Sequence, residues 1–537
     1  MSSRPASTGS RANSQEKVDL EKQPSLTAPT GAVVPEGDVV SATGPFAKVT
    51  RYLDHLGVET RSLERVPEDQ RDQMFFWLSV NMSFSALGTG FLGSLYYTLD
   101  FPTSMAIIWL GTALGCTVSA TMATLGPKTG LRTMALSRFA GGWPGTAIFS
   151  LLNALTQLCY AVTTALAGAQ ALVAINHNLS LIVGIVILTV VVFVLSIYGY
   201  RFLHYWERYA WIGCLIIYII ILGLGKRGDY DPHSRTADMD SGRALIGDVL
   251  SFFGIMFSVG SGWTSIAADY NMTLPVDTPT YVVWLASYFG MWLPIAFTCS
   301  TSAAFLALTK ASYVEAFEEG SLGGVVGQIL SPAGGFGKFL LVLLAFSTVS
   351  ANIPNTYSGA LCLQSIHPIL MKVPRIFFVI IFTAVLVDLP RMPSLLRSIR
   401  LTLLLLSTSY IVVAIVGKDH FSEILSNFSA ILAYYTAFLS SIIFIEYFWF
   451  RRPGGRLGPV KPDDFTDYSK LAPGYACVAS IVCTIPVVAS GLAADFPYGP
   501  KFSDQYGQYM GESTMSYVVS AITYPIFRTL EIRYFGR

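Results

Sequence analysis

The amino-acid sequence predicts an all-α polytopic membrane protein with about twelve transmembrane helices. The chain of 537 residues is 52% hydrophobic and only 13% charged, whereas soluble proteins carry about 25% charged residues. Its apolar residues lie in successive stretches of about 20, the length that an α-helix needs to cross the hydrocarbon core. Two of these stretches are interrupted in a similar way by clustered glycine and serine. Together these observations favour one large membrane domain over several soluble domains.

The segment 1–73 differs in composition from the rest of the chain. It is rich in serine, proline, threonine and charge, and it has too few large apolar residues to bury a core. We expect a disordered cytosolic tail there. A transmembrane domain is predicted over 74–528, and a short cytosolic tail over 529–537. The net charge of +1 gives no indication of nucleic-acid binding.

The predicted spans follow the apolar stretches in chain order. They cover about 74–98, 103–125, 145–174, 179–198, 209–225, 246–268, 280–308, 337–366, 374–416, 425–449, 472–492 and 511–528. Lysine and arginine are more frequent in the loops that would lie on the N-terminal side of the membrane. By the positive-inside rule, both ends of the chain are therefore predicted to be cytosolic.

The ninth predicted span is too long and carries an unusual insert. Residues 385–409 contain Asp388, Pro390, Arg391, Pro393, Arg397 and Arg400. Charges of this kind each cost about 2.5–3.5 kcal/mol at a helix centre, and two full spans here would invert all later topology. We interpret residues 385–409 as the translation of a retained intron. The alternative is a genuine insertion at the inner membrane face.

The first and sixth spans share clustered small residues near mid-membrane. The first contains "NMSFSALGTGFLGSLYY" and the sixth "FFGIMFSVGSGWTSIAADY". Matched interruptions in the two halves of a chain are typical of inverted-repeat transporters, in which the interruptions expose backbone groups to a solute or ion. The alternative is close helix packing through small residues.

Polar side chains at membrane depth are mostly neutral amides and aromatic hydroxyls. The set is Asn81, Ser83, Ser85, Asn153, Gln157, Tyr160, Thr164, Gln170, Trp263, Asn352, Asn355, Tyr357, Tyr434 and Tyr435. Aromatic faces stack on planar rings, and amides pair with ring N–H and C=O edges. The set suits an uncharged planar heterocycle better than a sugar, a zwitterion or a metal ion. For any single residue, a helix–helix hydrogen bond is the alternative.

Several ordered motifs resemble one family. They include "GYRFLHYWERYAWIG" (199–213), "SGWTSIAADYNMTLPVDTP" (261–279) and "FSTVSANIPNTYSG" (346–359). From about residue 47 to its C-terminus, the chain resembles the fungal purine–cytosine permeases of the nucleobase–cation symport family. The resemblance implies a five-plus-five inverted repeat, over about 74–225 and 246–449, with two further helices over about 472–528. It also implies proton-driven uptake of cytosine and purines at the plasma membrane.

The resemblance also implies a set of substrate-binding residues. They are Ser85 of the first span, Trp263 of the sixth, and Asn352, Pro354 and Asn355 of the eighth. In the third span this sequence departs from the family pattern, with Cys159-Tyr160 where Gly-Trp is usual and Thr164 where Asn is usual. Tyr160 and Thr164 are therefore predicted to line the pocket with altered chemistry. Because the same branch contains vitamin B6 carriers, a pyridoxine symporter stays open as the alternative.

The ion-coupling group is sought among the carboxylates closest to the spans, since carboxylates at membrane depth commonly serve in proton transfer. The candidates are Glu207, Asp269 and Glu446. For Glu207, a salt bridge with the adjacent Arg208 is the alternative role. The proton as coupling ion rests on the resemblance.

Other functional classes fit the sequence less well. A channel would show a repeated filter or charged rings, and the six histidines are scattered without metal-ligand spacing. We therefore expect no enzymatic activity, no metal and no cofactor. The expected partners are a small-molecule nucleobase and the lipid bilayer. A nutrient sensor without transport stays open as a further alternative.

Overall fold

In the computed structural model, helices form the regular secondary structure of the part of the chain that it describes. That part comprises residues 76–373 except 199 and 273, then 377–379, 414–415, 418, 420–495 and 512–537. Its α-helices are α1 (Phe76–Asn81), α2 (Leu92–Tyr96), α3 (Phe101–Ala123), α4 (Leu125–Thr129), α5 (Thr133–Ile175), α6 (Leu181–Tyr198), α7 (Tyr200–Gly225), α8 (Arg243–Ser261), α9 (Ala267–Asn271), α10 (Thr280–Phe305), α11 (Ala311–Leu330), α12 (Gly334–Ser365), α13 (Phe421–Ile445), α14 (Tyr475–Asp495) and α15 (Glu512–Phe535).

The all-α polytopic membrane class is confirmed. Seven helical segments of the described residues are long and apolar enough to cross a membrane. The count of twelve spans stays a prediction. The insert at 385–409 and the tail at 1–73 lie outside the described residues.

Both predicted interruptions are present. The first span consists of α1, a 3-10 segment at Phe84–Thr89, and α2. The sixth consists of α8, a 3-10 segment at Gly262–Ser265, and α9. Glycine weakens a helix, and at Gly90 it also permits close approach, because an added Cβ would lie 1.9 Å from the carbonyl oxygen of Cys299 on α10. The first interruption therefore packs directly against α10.

Two pairs of long helices pack closely along their lengths, and the second pair includes the first half of the sixth span. Helix α5 packs along α12, and α3 packs along α8. At the second contact Gly115 faces Phe257, since a Cβ on Gly115 would lie 2.2 Å from the carbonyl oxygen of Phe257. Small residues thus bring the backbones together, as they commonly do between membrane helices.

Several boundaries differ from the predictions. Helix α5 begins at Thr133 instead of about 145 and is bent at Gly142, which has φ 55°. Helix α7 begins at Tyr200, so Arg201 and Arg208 lie on a helix and not in the predicted loop. Helix α15 continues to Phe535, beyond the predicted end at 528.

Helix α11 occupies a segment that was predicted to be an outer loop. Its second half begins after Ser321, which has φ 48°, and buries Leu322, Val325, Val326 and Ile329. This half packs against α5. The three glutamates in its first half lower the mean hydropathy of the whole segment. The apolar face of the second half was therefore not detected from the sequence.

The last helices are joined by an ionic network to the π-helical turn Glu446–Phe450, which directly continues α13. Nε and Nη2 of Arg528 donate to Oε2 and Oε1 of Glu446, both at 2.9 Å. Nε of Arg451 donates to Oε1 of Glu446 at 2.8 Å, and Nη1 of Arg528 donates to Glu531 at 2.8 Å. Two carboxylates therefore balance two guanidinium groups, which buried charges require.

Candidate functional site

A cavity lies between the two interrupted spans and the helices α5, α10, α12 and α13. Its free volume is about 780 Å³, including the part open to solvent. Its polar lining consists of Asn81, Ser83, Ser85, Thr89, Gln157, Tyr160, Thr163, Thr164, Trp263, Cys299, Asn355 and Ser429. Five of the seven predicted substrate-binding residues are in this lining, namely Ser85, Tyr160, Thr164, Trp263 and Asn355.

Trp263 lies in the 3-10 segment that interrupts the sixth span. Its Nε1 donates to Oδ1 of Asn81 at 2.8 Å, and Nδ2 of Asn81 donates to the backbone carbonyl of Trp77 at 2.9 Å. The rings of Trp77 and Trp263 meet edge to face, with their centroids 5.5 Å apart. The first interrupted span thus holds the indole of the sixth in a fixed orientation.

Tyr160 and Thr164 lie one turn apart on α5 and face the same cavity. The Tyr160 ring meets Phe428 edge to face, with centroids 4.9 Å apart. Its hydroxyl lies close to the interrupted backbone, since a Cβ on Gly262 would come within 2.6 Å of it. Tyr160 therefore packs between α13 and the sixth span.

The three predicted residues of α12 have different surroundings. Asn355 lines the cavity, whereas Asn352 and Pro354 are not in its lining. Nδ2 of Asn352 donates to the backbone carbonyl of Ala161 on α5 at 3.2 Å, and its Oδ1 accepts from Nδ2 of Asn355 at 3.4 Å. Asn352 thus positions Asn355. Pro354 lies inside the helix, where its lack of an N–H leaves the carbonyl of Ser350 without the usual intrahelical donor.

The cavity also has lining residues that were not predicted as substrate-binding. Gln157 belongs to the polar set at membrane depth, but sequence alone did not separate it from helix-packing amides. Leu425 and Ser429 reach the cavity from α13, and Ile295 and Cys299 from α10. Isolated serine, leucine, isoleucine and cysteine residues are common in apolar helices. These four residues therefore could not be recognised from the sequence as part of the cavity lining.

Asp269 lies in α9, beyond the interruption, and it is not in the cavity lining. Its Oδ1 accepts from the backbone N–H of Thr133 at 2.7 Å, and its Oδ2 lies 3.7 Å from Nη1 of Arg132. Nη2 of Arg132 also donates to the hydroxyl of Tyr357 on α12 at 2.9 Å. Asp269 therefore connects the second half of the sixth span to the beginning of α5 and to α12.

The other two candidate carboxylates differ in what the structure describes. Glu446 is buried in the network of Arg528 and Arg451, and Tyr524 donates to its Oε2 at 2.9 Å. Glu207 lies in the first part of α7, and its side chain lies outside the described part of the structure. Among the described residues, no group of three or more His, Cys, Asp or Glu side chains is placed to hold a metal ion.

Comparison with known sequences gives a consistent result. The sequence model of a family described as permease for cytosine/purines, uracil, thiamine, allantoin matches residues 65–459. Purine-cytosine permease fcyB of Emericella nidulans is 30% identical over 97% of this chain and 99% of its own length. Vitamin B6 transporter TPN1 of Saccharomyces cerevisiae is 28% identical over 91% of this chain and 90% of its own length.

Comparison with solved structures agrees at the level of the fold. Mhp1, a nucleobase-cation-symport-1 family transporter in a closed conformation with bromovinylhydantoin bound, has a TM-score of 0.59 at 16% identity, covering 89% of this chain and 95% of its own. Mhp1 in an inward-facing conformation has a TM-score of 0.54 at 18% identity, with the same coverage. The arrangement of helices is therefore shared although most residues differ.

Proposed function

Because this chain belongs to the family of permeases for cytosine/purines, uracil, thiamine and allantoin, we propose that it is a secondary active transporter that imports a nucleobase by proton symport. The observation that carries this proposal is the cavity between the two interrupted spans. Such interruptions place binding groups at the pivot of alternating access. The relative from Emericella nidulans, a purine-cytosine permease, supports cytosine or a purine as the substrate.

The cavity offers the groups that a neutral base requires. Trp263 is a flat ring held by Asn81, and an aromatic ring of this kind stacks on any base because every base has a π-face. Asn355 and Ser85 offer hydrogen-bonding groups to the edge of the base. We include Tyr160 and Thr164 in the binding set, with Asn352 and Pro354 shaping the helix that presents Asn355.

Of the three candidate carboxylates, Asp269 fits proton coupling best. It lies on the second half of an interrupted span, which is the kind of element that moves in alternating access. Its contacts with Arg132 and Thr133 would respond to such movement. Glu446 already satisfies two arginines, which favours a structural role. The plasma membrane as location, with both termini cytosolic, completes the proposal.

A vitamin B6 symporter is the second candidate. The relative named vitamin B6 transporter TPN1 matches nearly as much of the chain as the purine-cytosine permease does. Tyr160 and Thr164 both line the cavity, so the departure from the family pattern lies where it would alter substrate choice. Pyridoxine is also a small neutral aromatic ring.

Uptake of labelled substrate in cells lacking their own nucleobase and pyridoxine carriers tests the proposal. We expect saturable uptake of cytosine, adenine or hypoxanthine that falls as the external pH is raised. Uptake of pyridoxine alone would establish the second candidate. Binding of a base to purified protein without any uptake would point to a sensor and overturn transport.

Substitution of Trp263 tests the cavity itself. Trp263→Ala removes the stacking ring, and base–aromatic stacking contributes about 1–3 kcal/mol, so apparent affinity should fall about fivefold or more. Trp449→Ala is the matched control, because Trp449 is exposed and lies outside the cavity lining. Surface fluorescence of tagged protein must be similar in both. Unchanged uptake by Trp263→Ala would contradict the assignment.

A further inference from the structure

Gln157 presents a buried polar atom that the fold leaves without a partner. The side chain lies on α5, is 1% exposed and lines the cavity. Within the described part of the chain, its Oε1 has no hydrogen-bond partner. A buried acceptor left unpaired costs free energy, so its presence at a binding cavity points to a ligand that supplies the donor.

The orientation of the Gln157 amide is fixed by its neighbours. Its Nε2 donates to Oδ1 of Asn153 at 3.2 Å. Nδ2 of Asn153 in turn lies 3.5 Å from the backbone carbonyl of Ser265 and 3.0 Å from Sγ of Cys362. A backbone carbonyl can only accept, so Nδ2 of Asn153 faces Ser265 and Oδ1 faces Gln157. Oε1 of Gln157 is then the atom left over, and it can only accept.

This chain of amides begins at an interrupted span. Ser265 ends the 3-10 segment that also contains Trp263. The carbonyl of Ser265 thus determines, through Asn153, which end of the Gln157 amide is left for a ligand in the cavity. A similar relation exists on α12, where Asn352 donates to Ala161 and so must accept from Asn355.

We propose that Oε1 of Gln157 is a specificity-determining acceptor, through which the site selects ligands that carry an N–H donor over ligands of the same shape without one. The proposal rests on the proposed function of nucleobase transport and deepens it. Adenine, cytosine and guanine carry both ring N–H and exocyclic amine donors. A ligand without the required donor would leave the oxygen buried and unpaired, which weakens binding about tenfold to a hundredfold.

Competition against labelled adenine uptake tests this in the wild-type protein first. The competitors are adenine, 6-methylpurine, which lacks the exocyclic amine, and 9-methyladenine, which lacks the N9 donor. We expect at least one analogue to inhibit tenfold or more weakly than adenine. If both analogues inhibit as well as adenine, no donor is selected and the proposal is overturned.

The variants Gln157→Leu and Gln157→Met then assign the selection to this oxygen. Either change removes the acceptor and keeps most of the volume. The analogue that binds poorly to the wild type should approach adenine within about threefold in the variant, because its missing donor no longer leaves an acceptor unpaired. A uniform loss for all ligands, with the ratio unchanged, would mean a structural role and would overturn the proposal.

Gln170→Leu is the matched control. Gln170 is a second buried glutamine of α5 that lies outside the cavity lining, so its replacement should leave the analogue-to-adenine ratio unchanged. If neither Gln157 variant reaches the cell surface, the wild-type competition still overturns the proposal when both analogues inhibit as well as adenine. Absence of uptake of cytosine, adenine and hypoxanthine alike by the wild type would refute the proposed function instead, which keeps the two failures distinct.

The reversed amide orientation makes an opposite prediction. If Asn153 and Gln157 were both rotated, Nε2 of Gln157 would face the cavity as a donor. Analogues without the N–H but with an added acceptor would then compete better than adenine, and that result would also overturn the proposal.

Discussion

At the scale of single residues, the cavity is set by how closely side chains approach interrupted backbone. Gly262 is one such case, because any Cβ there would lie 2.6 Å from the Tyr160 hydroxyl. The hydroxyl thus occupies the space that a larger residue at 262 would need. The width of the cavity at this point depends on the pair and not on either residue alone.

A double substitution tests this pairing. Gly262→Ala should reduce apparent substrate affinity about tenfold, since overpacking of this kind costs about 1–3 kcal/mol. Tyr160→Phe in the same background should restore part of the loss, because the nearest remaining atom of that ring lies 3.6 Å from the added carbon. The measurement is uptake kinetics of both single variants and the double variant. Strictly additive effects of the two substitutions would mean that residues 160 and 262 do not interact, which would contradict the contact.

Much of the cavity lining could be predicted from the types of residue, but the direction in which each side chain points could not. Amides and aromatic rings in apolar spans indicated the binding set, and Ser85, Tyr160, Thr164, Trp263 and Asn355 do reach the cavity. Residues three apart on a helix share a face, so the sequence could not show that Asn355 turns toward the cavity while Asn352 turns toward Ala161. That choice depends on a backbone carbonyl of another helix.

At the scale of helices, the two interruptions are the part of the fold most readily predicted. Clustered glycine and serine mark both, because these residues weaken a helix locally. Helix α11 could not be predicted in the same way. Its burial follows from packing against α5, which is a tertiary effect, and its break at Ser321 has φ 48°, which serine seldom adopts.

The packing of the first interruption against α10 can be tested with one added methyl group. Gly90→Ala would place a carbon 1.9 Å from the carbonyl oxygen of Cys299, so the 3-10 segment and α10 must separate. We expect uptake to fall at least tenfold with protein still at the cell surface. Gly254→Ala is the control, since in the described part of the chain no atom beyond its own helix backbone lies within 4 Å of the added carbon, and alanine is the better helix former. Equal uptake by both variants would contradict a close contact between the first interruption and α10.

At the scale of the whole molecule, the described bundle combines a polar cavity with a separate ionic network near its last helices. The cavity contains neutral polar groups, whereas the network buries Glu446, Arg451, Arg528 and Glu531. Oε1 of Glu531 also accepts from the backbone N–H groups of Gly474 and Ala476 at the start of α14. One network therefore fastens α13, α14 and α15 together.

Neutralising one member should destabilise the whole bundle. Glu446→Gln leaves the buried guanidinium of Arg528 and the partly buried one of Arg451 short of a carboxylate, and breaking a buried pair in this way costs about 3–5 kcal/mol. We expect a clear fall in the melting temperature of detergent-purified protein. Lys470→Gln is the control, because Lys470 is 56% exposed in its pair with Asp464, and surface pairs contribute little. A melting temperature equal to wild type for Glu446→Gln would contradict the role of the network.

The ionic network also imposes an order on biosynthesis. A ribosome completes Glu446 and Arg451 well before Arg528, which follows Glu446 by 82 residues. During that interval the end of α13 carries charges whose final partner has not been made. Glu446 and Arg451 neutralise each other, but a buried ion pair stays costly until its remaining hydrogen bonds are made. The nascent bundle must therefore keep this end near the membrane surface, or in contact with the translocation machinery, until α15 emerges and supplies the hydrogen bonds of Arg528 and Tyr524 to Glu446.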